Sequence, residues 1–377
     1  MTRFGFVSTY PPTRCGLATF TEALAAEMTA PPSDSAMIVR VLDGSEQRGR
    51  SMGERSLVSA ELWPDDPASM RTAVEALNAC DVAIVQHEYG IYGGRDGDEA
   101  VTLLNTLSVP VIVVLHTVLA APTGHQRSVL QAVCGASAAV VVMTDNAAAI
   151  LLDEYGVSAA KVTVIPHGVP SRHAETAAHH SDLKRVLTWG LISAGKGLEW
   201  GIRAVARLRD LDIPVEYVIS GQTHPKVLAH EGERYRRGLQ SLVAELGLQD
   251  RVTFDDRYVD AADLDGLIMS ADVVLLPYVS HEQATSGVLA EAVAAGIPVV
   301  STPFPHAMEL LSSGAGQLVP HSDPEAMAMA IRRILTTSGT AEEMHQAALQ
   351  ESHLATWPVV AEQYRLLAES IDDVEAA

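Results

Sequence analysis

Lysine is almost missing from this 377-residue chain: Lys161, Lys184, Lys196 and Lys226 are the only four among 26 basic and 47 acidic residues, and the formal charge is −21. A surface of that sign repels phosphate backbones and anionic headgroups, which argues against nucleic-acid binding and against electrostatic docking on a membrane. Cysteine is as scarce. Cys15, Cys80 and Cys134 lie far apart with no CxxC pair, the usage of reduced thiols in a cytoplasmic protein. No apolar run approaches the roughly 18 residues that a spanning helix needs; Val111–Leu115 and Ala138–Met143 are strand-sized. The chain enters a strand-like run at Phe4–Val7 without the basic and apolar regions of a signal peptide. Several catalytic signatures are missing too. The stretch Tyr10–Gly16 after the first strand offers one glycine in place of GxGxxG, which disfavours a dinucleotide dehydrogenase, and no GxSxG nucleophile elbow occurs. HEYG at 87–90 is not HExxH, because Ile91 stands where the second histidine belongs, and His179-His180 reads as solvated. No carboxylate pair qualifies as the acid and nucleophile of a glycosidase, and none stands out as a metal site.

What is present is a folded two-domain composition, 47% hydrophobic and 19% charged. Strand-like runs at Gly5–Ser8, Met37–Leu42, Val82–Gln86, Val111–Leu115, Ala139–Val142 and Val162–Ile165 alternate with helical patterns at Thr19–Met28, Ala68–Asn78 and Asn146–Glu154. Ser45–Pro67 and Tyr89–Asp98 read as irregular loops, and Ser171–Asp182 as a linker. The alternation then restarts, with strands at Val186–Trp189, Glu216–Ser220, Val252–Phe254, Val273–Leu276, Pro298–Ser301 and Gln317–Val319. Helices are expected over Gly197–Leu208, Arg234–Leu246, Asp260–Met269, Gly287–Ala295, Pro324–Thr336 and Trp357–Ile371. Continuous apolar strands alternating with helices predict α/β domains with parallel sheets covered on both faces. We expect two doubly wound, Rossmann-like domains, 1–172 and 183–355, with 356–377 as a closing helix. Such sheets bind ligands beyond the carboxyl ends of their strands, so a central cleft is the default site.

Two turns in the second half are suited to anions. Gly190-Leu191-Ile192-Ser193-Ala194-Gly195-Lys196-Gly197 follows a strand and opens a helix. It is a near miss for the P-loop, since Gly197 stands where a magnesium-binding hydroxyl is required, yet it offers backbone N–H groups and a lysine at a helix start. The second is Thr285-Ser286-Gly287-Val288, where a hydroxyl can cap the helix and the amides of Ser286, Gly287 and Val288 are available. Glu291 lies one turn further on, placed for a ribose diol. In the first half, His87-Glu88 and His116 end strands and are expected to face a ligand.

These pieces together resemble the retaining glycosyltransferases of family 4, which have the GT-B fold, and the resemblance runs nearly the full length. It is carried by Val164-Ile165-Pro166-His167-Gly168-Val169, the Gly190…Lys196-Gly197 turn, the Gly287–Gly296 helix with Glu291, Pro298-Val299-Val300-Ser301, and Gly316-Gln317-Leu318-Val319-Pro320 followed by Asp323-Pro324-Glu325. The resemblance implies a nucleotide-sugar on the second domain. Lys196, Gly190, Ser286, Gly287 and Val288 would hold its diphosphate, Glu291 its ribose, and Arg257, Tyr258, Val259 and Tyr278 would lie near the base. Gly16 would approach the phosphates and His116 the sugar carbon, with an acceptor near Arg14, His87, Tyr89 and Gly90. Two departures stand out. The family usually has arginine where this chain has Leu191, and glutamate where it has Gln283, with Glu282 one residue early. Loss of a bidentate guanidinium removes a strong phosphate contact, for which Arg14 and Arg257 are candidate replacements; the Gln283 amide still accepts hydrogen bonds to a sugar.

The resemblance implies transfer in which the acceptor hydroxyl attacks from the side the diphosphate leaves, and that phosphate takes the proton. His116, Lys196 and Gln283 are the catalytic candidates, with no obligatory cofactor and no metal. GDP-mannose is the expected donor and UDP-glucose the second; a phosphorolytic enzyme or a non-catalytic sensor of nucleotide-sugars are the other readings. Residues 1–170 hold 10 basic and 18 acidic side chains, which favours a soluble sugar acceptor over a membrane lipid and a cytoplasmic protein without integral membrane association.

Overall fold

The computed structural model describes residues 1–43, 57–171 and 182–375. The linker Ser171–Asp182, with His179 and His180, lies outside the described residues except for its two ends, as does the first part of the Ser45–Pro67 loop. The chain forms two compact units, Met1–Gly168 with Leu354–Ala377, and Val169–His353.

The first unit runs β1 (Arg3–Ser8), α1 (Gly16–Met28), β2 (Ser35–Val41), β3 (Val58–Leu62), α2 (Pro67–Leu77), β4 (Val82–His87), α3 (Glu99–Thr106), β5 (Val111–Leu115), α4 (Gly124–Ala136), β6 (Ala139–Val142), α5 (Asp145–Tyr155) and β7 (Val162–Val164). All seven strands are parallel, in the order β3-β2-β1-β4-β5-β6-β7, and the order reverses between β1 and β4. Every residue of β4 and β5 is buried, as expected of strands covered on both faces. Alternate residues supply opposite cores: Val7, Val85 and Val113 pack with Leu77, Leu103 and Leu130, while Phe6, Ile84 and Val114 pack with Phe20 and Leu24. The strand β3 falls in a stretch read from the sequence as loop. Its five residues, VSAEL, carry three buried apolar side chains in an edge strand with an irregular register, Val58 in one core and Ala60 and Leu62 in the other, too short a pattern to separate from a loop.

The second unit runs β8 (Lys184–Trp189), α6 (Leu198–Ala206), β9 (Val215–Ser220), α7 (Pro225–Glu231), α8 (Arg234–Glu245), β10 (Val252–Asp255), α9 (Ala261–Met269), β11 (Val273–Leu276), α10 (Gly287–Ala294), β12 (Val299–Ser301), α11 (Pro305–Leu310), β13 (Gly316–Leu318), α12 (Pro324–Thr336) and α13 (Thr340–Ser352). Its six parallel strands are ordered β10-β9-β8-β11-β12-β13, with the reversal between β8 and β11. The last helix, α14 (Trp357–Glu375), belongs to the first unit, where Trp357, Val360, Ala361 and Tyr364 join Phe20 and Leu24. Gly168 lies against the Trp357 ring so closely that a Cβ there would collide with it. Among the described residues no helix is long and apolar enough to cross a membrane.

Candidate functional site

In the second unit the turn after β8 is shaped by glycine. Gly190 has φ +108° and Gly197 φ +57°, conformations that side-chain-bearing residues rarely adopt, and a Cβ on Gly197 would strike the Pro277 carbonyl. Between them Ala194–Lys196 makes a tight helical turn, anchored where the Gly195 carbonyl accepts the Val279 N–H (3.1 Å). The Lys196 ammonium stands 3.9 Å from the centroid of the Tyr278 ring, a cation–π contact. A Cβ on Gly190 would come within 3.5 Å of Val288, so the β8 turn and the start of α10 adjoin. Trp189 Nε1 donates to Glu291 Oε2 (3.3 Å), which ties the end of β8 to the second turn of that helix. Trp189, Gly190, Leu191, Lys196 and Ser220 line the hollow beside the turn. The two anion-binding turns named from the sequence, Lys196 and Glu291 are thus brought together.

Other residues are placed differently from their expected roles. The Ser286 hydroxyl caps α10 by accepting the Leu289 N–H (3.3 Å), but the Ser286 N–H is already donated to His306 Nδ1 (2.9 Å). That leaves Gly287 and Val288 as the amides without a backbone acceptor among the described residues. Tyr278 is 1% exposed and its ring stacks on Phe304 at 5.1 Å, so it supports Lys196 from below and offers no face for a base. Arg257 is exposed, with Nε and Nη2 each 2.9 Å from a different Asp255 carboxylate oxygen. This bond, with its charge, holds the Asp255 carboxyl below the ordinary carboxylate range and committs the guanidinium expected at the base or phosphates. Tyr258 and Val259 follow it, both half-buried. Gln283 Nε2 donates to the Thr285 carbonyl (2.6 Å), a bond that a glutamate could not make; the departure from the family pattern therefore braces its own loop.

The first unit gathers its polar residues at the carboxyl ends of β1, β4 and β5. Gln86 and His87 are neighbours on β4 and point to opposite faces of the sheet. Gln86 Oε1 lies 2.7 Å from His116 Nε2. His116 and His167 both meet the Phe20 ring edge-on, at 5.0 and 5.1 Å. Burial, and then the neighbouring His167 and His87, push the His116 pKa down to about 3, so that at neutral pH it is an uncharged imidazole. On the other face His87 is wholly buried between Tyr89 (5.2 Å) and Tyr92 (6.4 Å), and burial lowers its pKa to about 4. It presents no exposed atom to an acceptor, which corrects the contact expected of it. Arg14, Gly16 and Gly90 are exposed, Tyr89 is half-buried, and a Cβ on Gly16, the first residue of α1, would meet nothing within 4 Å.

The sequence reading missed Gln86, Trp189 and His306, all of which act through partners distant in the chain. It also passed over the Asp-x-Asp spacing of Asp96 and Asp98. There His125 lies 2.8 Å from Asp96 and 3.6 Å from Asp98, and among the described residues no group of three or more ligand side chains could hold a metal ion.

Two parallel doubly wound sheets of this kind match the GT-B fold of solved glycosyltransferases. Residues 15–173 match the glycosyltransferase family 4 profile and residues 184–337 the group 1 glycosyl transferase profile. A solved structure of Anabaena HepE holding UDP and glucose has 16% identity and a TM-score of 0.74, covering 98% of this chain and 100% of that one. Sucrose-phosphate synthase from Thermosynechococcus elongatus gives 18% and 0.77, covering 99% and 100%. Among curated proteins, D-inositol 3-phosphate glycosyltransferases from Thermobifida fusca and Stackebrandtia nassauensis are 27% and 29% identical over 58% and 59% of this chain. The matched segments make up 52% and 51% of those proteins, so the chain spans about half the length of the curated relatives it matches. The chain belongs to the family 4, group 1 glycosyltransferases of GT-B fold.

Proposed function

We propose that this chain is a retaining hexosyltransferase that takes a hexose from a nucleotide-sugar and attaches it to a soluble sugar acceptor through an α-linkage. The observation that carries this reading is the convergence of the Gly190 turn, Lys196 and the start of α10 on one side of the second sheet, a preorganised cradle for a diphosphate. Lys196 and the Gly287 and Val288 amides stabilise the charge that grows on the leaving phosphate. Glu291, oriented by Trp189, accepts from the ribose hydroxyls. The acceptor lies against the first unit near Arg14, Tyr89 and Gly90. His116 offers an uncharged imidazole in the first unit, suited to a sugar hydroxyl. The leaving phosphate takes the acceptor proton, so no side-chain nucleophile and no metal is required.

GDP-mannose is our first donor and UDP-glucose, which Anabaena HepE of the same fold holds, the second. A trehalose-phosphate synthase of this fold, from Burkholderia xenovorans, holds glucose-6-phosphate, which puts phosphorylated sugars and polyols on the acceptor panel. The test is release of nucleoside diphosphate from GDP-mannose, UDP-glucose and ADP-glucose with free and phosphorylated sugar acceptors, with and without EDTA. One donor should turn over, unaffected by EDTA, and give an α-linked product. Binding without turnover across the whole panel sinks the enzyme reading; sugar phosphate formed from a disaccharide and inorganic phosphate would make it a phosphorylase.

A further inference from the structure

Phe20 on α1 meets two imidazoles edge-on: His116 at 5.0 Å, and at 5.1 Å His167, three residues beyond β7. Both belong to the first unit and follow the carboxyl ends of β5 and β7, the side of a doubly wound sheet on which ligands bind. Each ring has one nitrogen held by an oxygen. His167 Nδ1 lies 2.8 Å from the Gly168 carbonyl, and His116 Nε2 lies 2.7 Å from Gln86 Oε1. A carbonyl oxygen has no proton to give, so these nitrogens carry the ring protons, while His167 Nε2 and His116 Nδ1 carry lone pairs. Among the described residues neither lone pair has a partner, and unlike the two nitrogens of His87 neither is enclosed.

The His167 ring is held on its other sides too. It packs against Trp357 at 6.1 Å, and Gly168 lies against the same indole. Burial lowers its pKa to about 4 against the upward pull of the Gly168 bond, so its lone pair is bare at neutral pH. Packing alone would be served by a phenyl ring; a lone pair held in one direction serves a hydrogen bond. We infer that His167 is a second sugar-contacting residue of the first unit, its Nε2 accepting the proton of a sugar hydroxyl beside His116. This rests on the hexosyltransferase reading above and adds one residue to its sugar site. The hydroxyl it reads is a free one. An O-methyl group or a phosphate dianion at that point has no proton to offer, and its oxygen would face the lone pair.

Transfer by the whole chain tests the assignment, with GDP-mannose, UDP-glucose and ADP-glucose as donors, free sugars as acceptors, and KM measured for each substrate. His167→Phe keeps an aromatic ring against Phe20 and Trp357 and removes the lone pair. It should lower kcat/KM about tenfold, with KM rising for whichever substrate carries the hydroxyl and the melting temperature near native. His167→Gln places an amide oxygen near the position of Nε2 and should recover most of the loss. Among monodeoxy forms of that substrate's sugar, one should cost the native chain a similar factor and cost His167→Phe nothing further. In the 15N-labelled chain, the imidazole signals that vanish in His167→Gln should show a protonated Nδ1 and a bare Nε2 at pH 7. Native kcat/KM in His167→Phe, or the opposite tautomer, overturns the assignment and leaves the hexosyltransferase reading standing. No transfer by the native chain from any donor overturns both.

Discussion

The carboxyl edges of the two sheets are made from the same strand–turn–helix unit and carry opposite chemistry. In the first unit the buried imidazoles are uncharged: His116 and His167 are packed on Phe20 with Gln86 alongside, and His87 is enclosed by tyrosines on the far face. In the second they are cationic or backbone: Lys196 over Tyr278, two glycine turns, and the open amides of α10. Burial produces the first pattern, because desolvation drives an imidazole to its neutral form. Placement on turns at the sheet edge gives the second, where Lys196 lies half-buried over the Tyr278 ring. One architecture therefore yields a surface for hydroxyls and a surface for phosphate, and the turns after the strands decide which.

The largest effect that would break this contrast is structural. Trp357→Ala empties the space beneath Phe20 and His167, where Trp357 is 9% exposed, and should destabilise the first unit by about 3–5 kcal/mol in urea unfolding. A loss below about 1 kcal/mol means that α14 contributes little to that core. Next, Lys196→Ala should lower transfer by about 10²–10³-fold, with far-UV circular dichroism and melting temperature nearly unchanged. Full activity in that variant removes the cationic side of the comparison.

Acid should distinguish the units more gently. The folded value of His87, about 4, lies below its ordinary 6.5, so its stabilising contribution is complete above pH 6.5 and is lost as pH falls toward 4, because the unfolded chain binds a proton that the native one refuses. At pH 5 the loss is about 2 kcal/mol for this histidine. The drop in unfolding free energy from pH 7.5 to pH 5 should shrink by about that amount in His87→Gln; an unchanged drop shows that His87 is protonated in the native state. Smallest of all, Arg257→Ala should change nucleoside diphosphate affinity less than twofold, since Asp255 already holds the guanidinium. A tenfold loss by calorimetry would return Arg257 to the donor site.

Strand runs such as Val111–Leu115 and Val273–Leu276 were legible to the residue, because strands buried on both faces must be apolar at every position. The Gly190–Gly197 turn was legible because glycine at positive φ leaves a spacing that can be read directly. Short or edge elements escaped: β3 has three apolar residues and α11 six residues in all, less than a period can register. Within the site, Lys196 and Glu291 could be named from their neighbours in the chain. The surroundings of Tyr278, Ser286 and Arg257 could not be read that way, because each depends on what packs or bonds against it, Phe304, His306 and Asp255 respectively.

By itself the sequence determined the parallel α/β architecture, the two glycine-shaped turns and the scarcity of positive charge, since each follows from local composition and backbone sterics. Tertiary structure alone decided what packs beneath Lys196, which amide remains open for an anion, and which histidines stay neutral. Those properties are set by desolvation and by hydrogen bonds between residues 20 to more than 100 positions apart, such as Trp189 with Glu291 and Ser286 with His306, and no spacing along the chain records them.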